Sequence, residues 1–361
     1  MAEMLRPWLT VALSSSLLIV AGCGDKEAAP SESACADTMS SEALQANGRV
    51  AFAALRTRGS ELMVVDVETR KSRRVTRQRS QHDSVSGIAW SPDGRTIAYS
   101  GGTRGWADKT YDDIWVVPAN GGQPSHLTGS YEDDWDPSWS TDSRRLVFDR
   151  QDDGYNWVYV VGADGSGLRR LSANFNYNPV WTPDGRISYV NSRGFWVMNA
   201  SGTKKHLLRR LKPELQAYGG TPMVWSPDGE AVAFISGTAL WVMSANGTGR
   251  RKLSGGPGSA RDPVWSPDGQ TIGWTKGDGD LEIFVVNRDG SGLRNITNND
   301  RVQDQDPAWS PNGRAIAFLR RCGRREAERV MVFAINLDGS GAQSLSSLRI
   351  DRWGPGPAWS R

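Results

Sequence analysis

Seven Trp residues recur along the chain, at Trp90, Trp139, Trp181, Trp225, Trp265, Trp309 and Trp359, spaced 49, 42, 44, 40, 44 and 50 residues apart. Five of them open one motif: Trp90-Ser91-Pro92-Asp93-Gly94, Trp181-Thr182-Pro183-Asp184-Gly185, Trp225-Ser226-Pro227-Asp228-Gly229, Trp265-Ser266-Pro267-Asp268-Gly269 and Trp309-Ser310-Pro311-Asn312-Gly313. A degenerate copy runs from Trp139 to Ser143, and a partial one is Trp359-Ser360. A repeat of about 40–45 residues with this signature predicts four-stranded units stacked in a ring, because no single unit can bury its own faces. The expected fold is all-β, a seven-bladed β-propeller. It forms one domain over residues 48–361, although the length alone would suggest two or three.

Each unit reads as four strands. In the first complete one, strand A ends at Ala89-Trp90-Ser91, strand B is Thr96 to Tyr99, strand C is Ile114 to Val117 and strand D is Ser125 to Thr128. Runs of β-branched and aromatic residues punctuated by Gly turns are strong strand and hairpin signals. Residues 49–76 hold strands B, C and D with no strand A, whereas Pro357-Ala358-Trp359-Ser360 is a strand A alone. The ring is therefore expected to close by pairing this strand with the N-terminal three, which hides both sheet edges.

Residues 1–22 read as a targeting segment. Arg6 precedes an apolar run from Trp8 to Val20, which is too short to span a bilayer but suits a signal segment. It ends in Val20-Ala21-Gly22-Cys23, which resembles the bacterial lipobox and implies lipidation at Cys23. Residues 23–47, rich in Ala, Ser and Glu, read as a lipidated flexible tether. Two further cysteines, Cys35 and Cys322, form a candidate disulfide in an oxidising compartment, with two unpaired thiols as the alternative. The net charge of +3 comes from interspersed signs, which argues against nucleic-acid binding.

The Trp-Ser-Pro-Asp-Gly copies, the Ile-Ala-Tyr/Phe strand B and the run from Val285 to Thr297 resemble the Pro-Asp variant of the WD-type repeat found in the TolB family. The resemblance implies a periplasmic propeller whose wide end binds a protein partner. The chain differs from TolB in having seven units rather than six, a tether in place of a small α/β domain, and a lipidation motif of its own.

Related repeats precede the hydrolase domain of prolyl oligopeptidase-like enzymes and build oligogalacturonate lyases. No Gly-x-Ser-x-Gly elbow is present, and the three histidines, His82, His126 and His206, are scattered. The Asp-Gly-Ser-Gly turns are too short to supply a calcium loop. The expectation is a non-catalytic protein with no cofactor and no metal. The alternatives are a carbohydrate-active or metal-dependent envelope enzyme and a structural scaffold.

Two sets of residues are candidates for partner binding. Those leading into strand A should ring the channel mouth: His82, Asp83, Asp134, Asp136, Asn176, Asn178, Asp262, Asp304 and Asp306. They read either as carboxylates facing a basic peptide or cation, or as side chains bonding the backbone of their own loops. The B–C loops on the same face carry Trp106, Tyr111, Asp152, Asp153, Arg320, Arg321, Arg324 and Arg325, residue types that anchor protein contacts or are merely solvated. The expected protein is a lipid-anchored monomer of the bacterial cell envelope, facing periplasm or exterior, with a protein or peptide partner.

Overall fold

A computed structural model describes residues 42–56, 59–77, 84–104, 110–152, 154–172, 176–210, 223–299, 302–322, 329–346 and 355–360. Seven four-stranded antiparallel sheets make up these residues. Blade 1 joins β1 (Arg49–Arg56), β2 (Gly59–Asp66) and β3 (Ser72–Arg74) to β28 (Ala358–Trp359). Blade 2 is β4 (Ser86–Trp90) to β7 (Ser125–His126), and blade 3 is β8 (Asp133–Trp139), β9 (Arg145–Asp152), β10 (Tyr155–Gly162) and β11 (Arg169–Arg170). Blade 4 runs from β12 (Asn176–Trp181) to β15 (His206–Arg210), and blade 5 from β16 (Val224–Trp225) to β19 (Arg251–Lys252). Blade 6 runs from β20 (Ser259–Trp265) to β23 (Arg294–Asn295). Blade 7 comprises β24 (Gln303–Trp309), β25 (Ala315–Cys322), β26 (Arg329–Asn336) and β27 (Gln343–Ser344). No helix of the described residues is long and apolar enough to cross a membrane.

The motif builds its turn from its own side chains. In Trp225-Ser226-Pro227-Asp228-Gly229, the Ser226 hydroxyl donates to Asp228, and that carboxylate accepts the Glu230 amide at 2.9 Å. The Gly229 amide closes on Ser226 O at 2.9 Å with φ at 73°, where an L side chain would be strained. Strand B then starts in register. The Asp-Gly-Ser-Gly turns work similarly, as Asp289 accepts from both the amide and the hydroxyl of Ser291. Their carboxylates are thus engaged within the turn.

The apolar core is divided into seven clusters, each formed between two successive blades. Six of the seven repeat Trp residues are buried and Trp90 is half-buried, each packing against the preceding blade. Four indoles also donate to that blade's inner strand: Trp90 to Ala358 O, Trp139 to Ala89 O, Trp265 to Val224 O and Trp309 to Val264 O, at 2.9–3.2 Å. The Trp repeat is therefore the seam between blades. Ring closure follows the same plan, with β28 pairing β1 through Val50–Trp359 and Ala51–Ala358.

One boundary differs from expectation. Residues 42–47, read as the end of a tether, are packed onto blade 7. Asn336 brackets Leu44 by accepting the Gln45 amide at 2.7 Å and donating to Ala43 O at 3.1 Å. Asn312 donates to Gln45 O at 3.0 Å, while Leu44 and Ala46 pack on the cluster between blades 7 and 1. Trp359 completes the contact by donating to Asn47 O at 2.9 Å. A segment poor in large apolar residues binds here through its backbone.

Candidate functional site: the inner wall of the ring

Inner strands of successive blades pack against one another, from β28 to β4 to β8 to β12, and from β16 to β20 to β24 and back to β28. Five inner strands carry a bulge at the second and third residues before the repeat Trp, where pairing with strand B skips. The third residue before the Trp sits in this bulge with a left-handed backbone: Gly87, Asp136, Asn178, Asp262 and Asp306, at φ of 50–57°. Asp and Asn tolerate that region better than other L residues. The recurrence of Asp or Asn at this position thus has a backbone cause that neither sequence reading had supplied.

These bulges face one another around the wall. A Cβ added at Gly87 would meet Pro137 and the Asp136 amide, and one at Gly356 would meet Asp306. The Asn178 amide donates to Asp149 Oδ2 of the preceding blade at 2.8 Å, and the Asp306 amide donates to Thr275 at 3.2 Å. Asp136 is solvent-accessible, while Asn178, Asp262 and Asp306 are half-buried, so water reaches a wall that protein otherwise encloses.

That enclosure raises the carboxyl groups. Desolvation by the surrounding wall lifts Asp136 above its ordinary range, although its side chain is reached by water. Burial and the neighbouring Asp306 push Asp262 up to about 7. Asp306 is itself raised by burial, against the pull of Gln305, Asp262, Arg261 and Arg321. Asp149, 3% exposed, is raised well above the usual range by burial, with Asp136 adding to the rise. Its Oδ1 has no hydrogen-bond partner among the described residues. Burial thus holds all four carboxyl groups above their ordinary range, and a positive charge placed beside them would favour their ionised forms.

The residues two positions earlier behave differently. Asp134 and Asp304 are fully buried, and Asn176 is nearly so. Asp134 takes a two-pronged bond from Arg150 at 2.7 Å, and Asp304 takes one from Arg320 at 2.8 and 2.7 Å. Asn176 accepts from Asn191 at 3.3 Å. These three do not face the mouth, and Arg320 is not a loop anchor but a buried strand residue over the rings of Phe318 and Phe333. Burial raises Asp134 and Asp304, and their Arg partners oppose the rise.

Among the remaining loop candidates, Tyr111 lies edge-on to Tyr131 at 6.1 Å, Asp152 is half-buried at the end of β9, and Arg321 is half-buried near Asp306. Tyr131, 69% exposed, and Asp112, which accepts from Trp135 at 3.0 Å, were not singled out from the sequence. No spacing signal marked either one. His82, Asp83, Trp106, Asp153, Arg324, Arg325, Cys23, Cys35 and the segment 1–22 lie outside the described residues. Cys322 is disulfide-bonded. Among the described residues, no group of three or more His, Cys, Asp or Glu is arranged to hold a metal ion.

The family model described as TolB beta propeller domain matches residues 32–212 and 208–360. The chain belongs to the TolB β-propeller family. A curated relative of this TolB-family chain, Uncharacterized peptidase YuxL of Bacillus subtilis, is 30% identical over 113 residues, covering 30% of this chain and 17% of that protein. TolB from Acinetobacter baumannii superposes with a TM-score of 0.54 at 17% identity, over 87% of this chain and 66% of that one. Oligogalacturonate lyase in complex with manganese gives 0.61 at 13% identity, over 83% and 86%. The chain spans less than two thirds of the length of the peptidase and of TolB. At these identities the solved structures share its fold.

Proposed function

We propose that this TolB-family propeller is a non-catalytic binding protein of the bacterial cell envelope, held by lipid at Cys23. Its partner is a protein or peptide that presents a basic side chain to the inner wall of the ring. The observation that carries the reading is the set of carboxyl groups on left-handed bulges, Asp136, Asp262 and Asp306, all reachable by water. A cation entering this enclosed wall would meet several carboxyl groups in a medium of low screening. The leader and lipobox support an envelope address, and the disulfide at Cys322 suits an oxidising compartment. Pairing of Cys322 with Cys35 belongs to the same reading.

The test is affinity capture from solubilised envelope with wild-type protein and with a triple variant, Asp136→Asn, Asp262→Asn and Asp306→Asn. Asn keeps the left-handed backbone and removes the charge. A partner recovered by the wild type and lost with the triple variant is expected. Equal recovery would remove the inner wall from the account.

A further inference from the structure

The docked segment 42–47 reveals what a blade of this ring can hold. It lies where strands B and C of blade 7 end, at the pair Ala315–Asn336, between the Ser310-to-Arg314 turn and the turn at Asp338 to Gly341. In blade 3 the corresponding pair is Arg145–Gly162. There the same place is an open recess of about 540 Å³, lined by Ser143, Arg144, Arg145, Gly162, Asp164 and Arg169 among others.

Two observations identify this recess as the unfilled counterpart of the occupied one. First, it lacks the clamp. Gly162 stands where Asn336 clamps the docked backbone, and a Cβ there would come within 2.5 Å of Asp164 Oδ1. Second, Trp181 stands in blade 4 as Trp359 stands in blade 1. The Trp359 indole donates to Asn47 O of the docked segment, whereas the Trp181 indole N–H is buried outside the lining of the recess, with no partner among the described residues. Arg145, which lines the recess, holds its guanidinium 4.9 Å above the Trp181 ring.

Charge selects the occupant. Arg145 and Arg169 replace Ala315 and Gln343, and Arg144 matches Arg314, so the recess has gained two guanidinium groups, of which Arg169 also donates to Ala200 O and Ser201 O at 3.2 Å. Of the nearby carboxylates, Asp164 is engaged by the amide and hydroxyl of Ser166, and Asp142 by the Ser140 hydroxyl and the Arg144 amide. We propose that the recess of blade 3 is a second docking site, which holds an extended acidic peptide of a partner protein much as blade 7 holds residues 42–47. Peptide carboxylates would take charge-assisted bonds from the Arg groups. The site lies at the Ser140-to-Arg144 turn and needs an anionic ligand, so it stands or falls apart from the acidic inner wall.

The full chain is titrated with a fluorescein-labelled (Glu-Ala)5 peptide and with (Lys-Ala)5, read by anisotropy. Saturable binding of the acidic peptide is expected, weakened about tenfold or more by Arg144→Glu with Arg169→Glu. Both Arg side chains are exposed, so the fold should survive their reversal. The Trp181 indole N–H resonance, assigned with Trp181→Phe, should move when the acidic peptide binds. Absence of saturable binding, unchanged affinity in the double variant, or an unmoved Trp181 resonance would each overturn the proposal. So would a dimer in sedimentation that the acidic peptide fails to dissociate, because another copy's segment would then fill the recess.

Discussion

Arg320 forks onto Asp304 inside blade 7, with Nε and Nη2 at 2.8 and 2.7 Å from the two carboxylate oxygens. Arg150 and Asp134 repeat this arrangement in blade 3. Each pair joins a larger network. Asp304 also accepts from Asn299 at 2.8 Å, and the Asn299 amide donates to Glu282 of blade 6 at 3.0 Å.

Breaking either pair should leave a buried, uncompensated charge. Arg320→Ala or Asp304→Ala is expected to cost about 3–5 kcal/mol in urea unfolding. The double change Arg320→Met with Asp304→Leu should cost far less, because no charge is left stranded. A single variant with wild-type stability would count against this.

Among the described residues the closing strand pairs with β1 through two residues, so Trp359 carries much of its hold. Trp359→Ala removes a buried ring from the cluster between blades 7 and 1 and the bond to Asn47. A loss of about 3–5 kcal/mol is expected. Asn336→Ala, which frees the backbone around Leu44, should lower stability by about 1–3 kcal/mol. Both are read from denaturant midpoints at constant slope.

Reduction should weaken the same closure. Cys322 ends β25 in the blade that receives the C-terminal seam. Treatment with a reductant is expected to destabilise the fold by about 2–4 kcal/mol. Non-reducing peptide mapping should recover Cys322 linked to Cys35. Recovery of a free Cys322 thiol would remove the bond from the account.

Stability should decline from mildly acidic to mildly alkaline pH. Asp262 and Glu282 are each pushed up to about 7, by burial first, whereas unfolded carboxyls titrate near about 4. Between those values the folded protein holds protons that the unfolded chain has released, so raising pH through 7 favours unfolding. Below about 4 the order reverses, because Asp93 and Asp142 are held low by their Ser91 and Ser140 hydroxyls. The melting temperature at pH 5 should exceed that at pH 8, and Asp262→Asn should shrink the difference. A flat profile from pH 5 to 8 would refute the assignment.

The ring was legible because its determinants are local and repeated. Ser226 and Asp228 build a turn within five residues, and the Trp period counts the blades. The inner wall was only half legible. Asp134 and Asp136 are two residues apart in one strand, yet the first is buried against Arg150 and the second points into the accessible wall. The difference comes from a bulge, which depends on pairing with a distant strand and reverses the side chain's direction. Arg320 misled for a similar reason, since its partner lies sixteen residues upstream across the sheet. The docking of residues 42–47 left no pattern in the sequence, because Asn336 and Asn312 hold them by the backbone.

Binding at the inner wall is tested most directly by calorimetric titration of the full chain with the (Lys-Ala)5 peptide. The wild type should bind with an affinity that falls steeply as salt rises. The triple variant Asp136→Asn, Asp262→Asn and Asp306→Asn should lose about tenfold or more of it. Equal binding by both proteins, or binding indifferent to salt, would contradict the account.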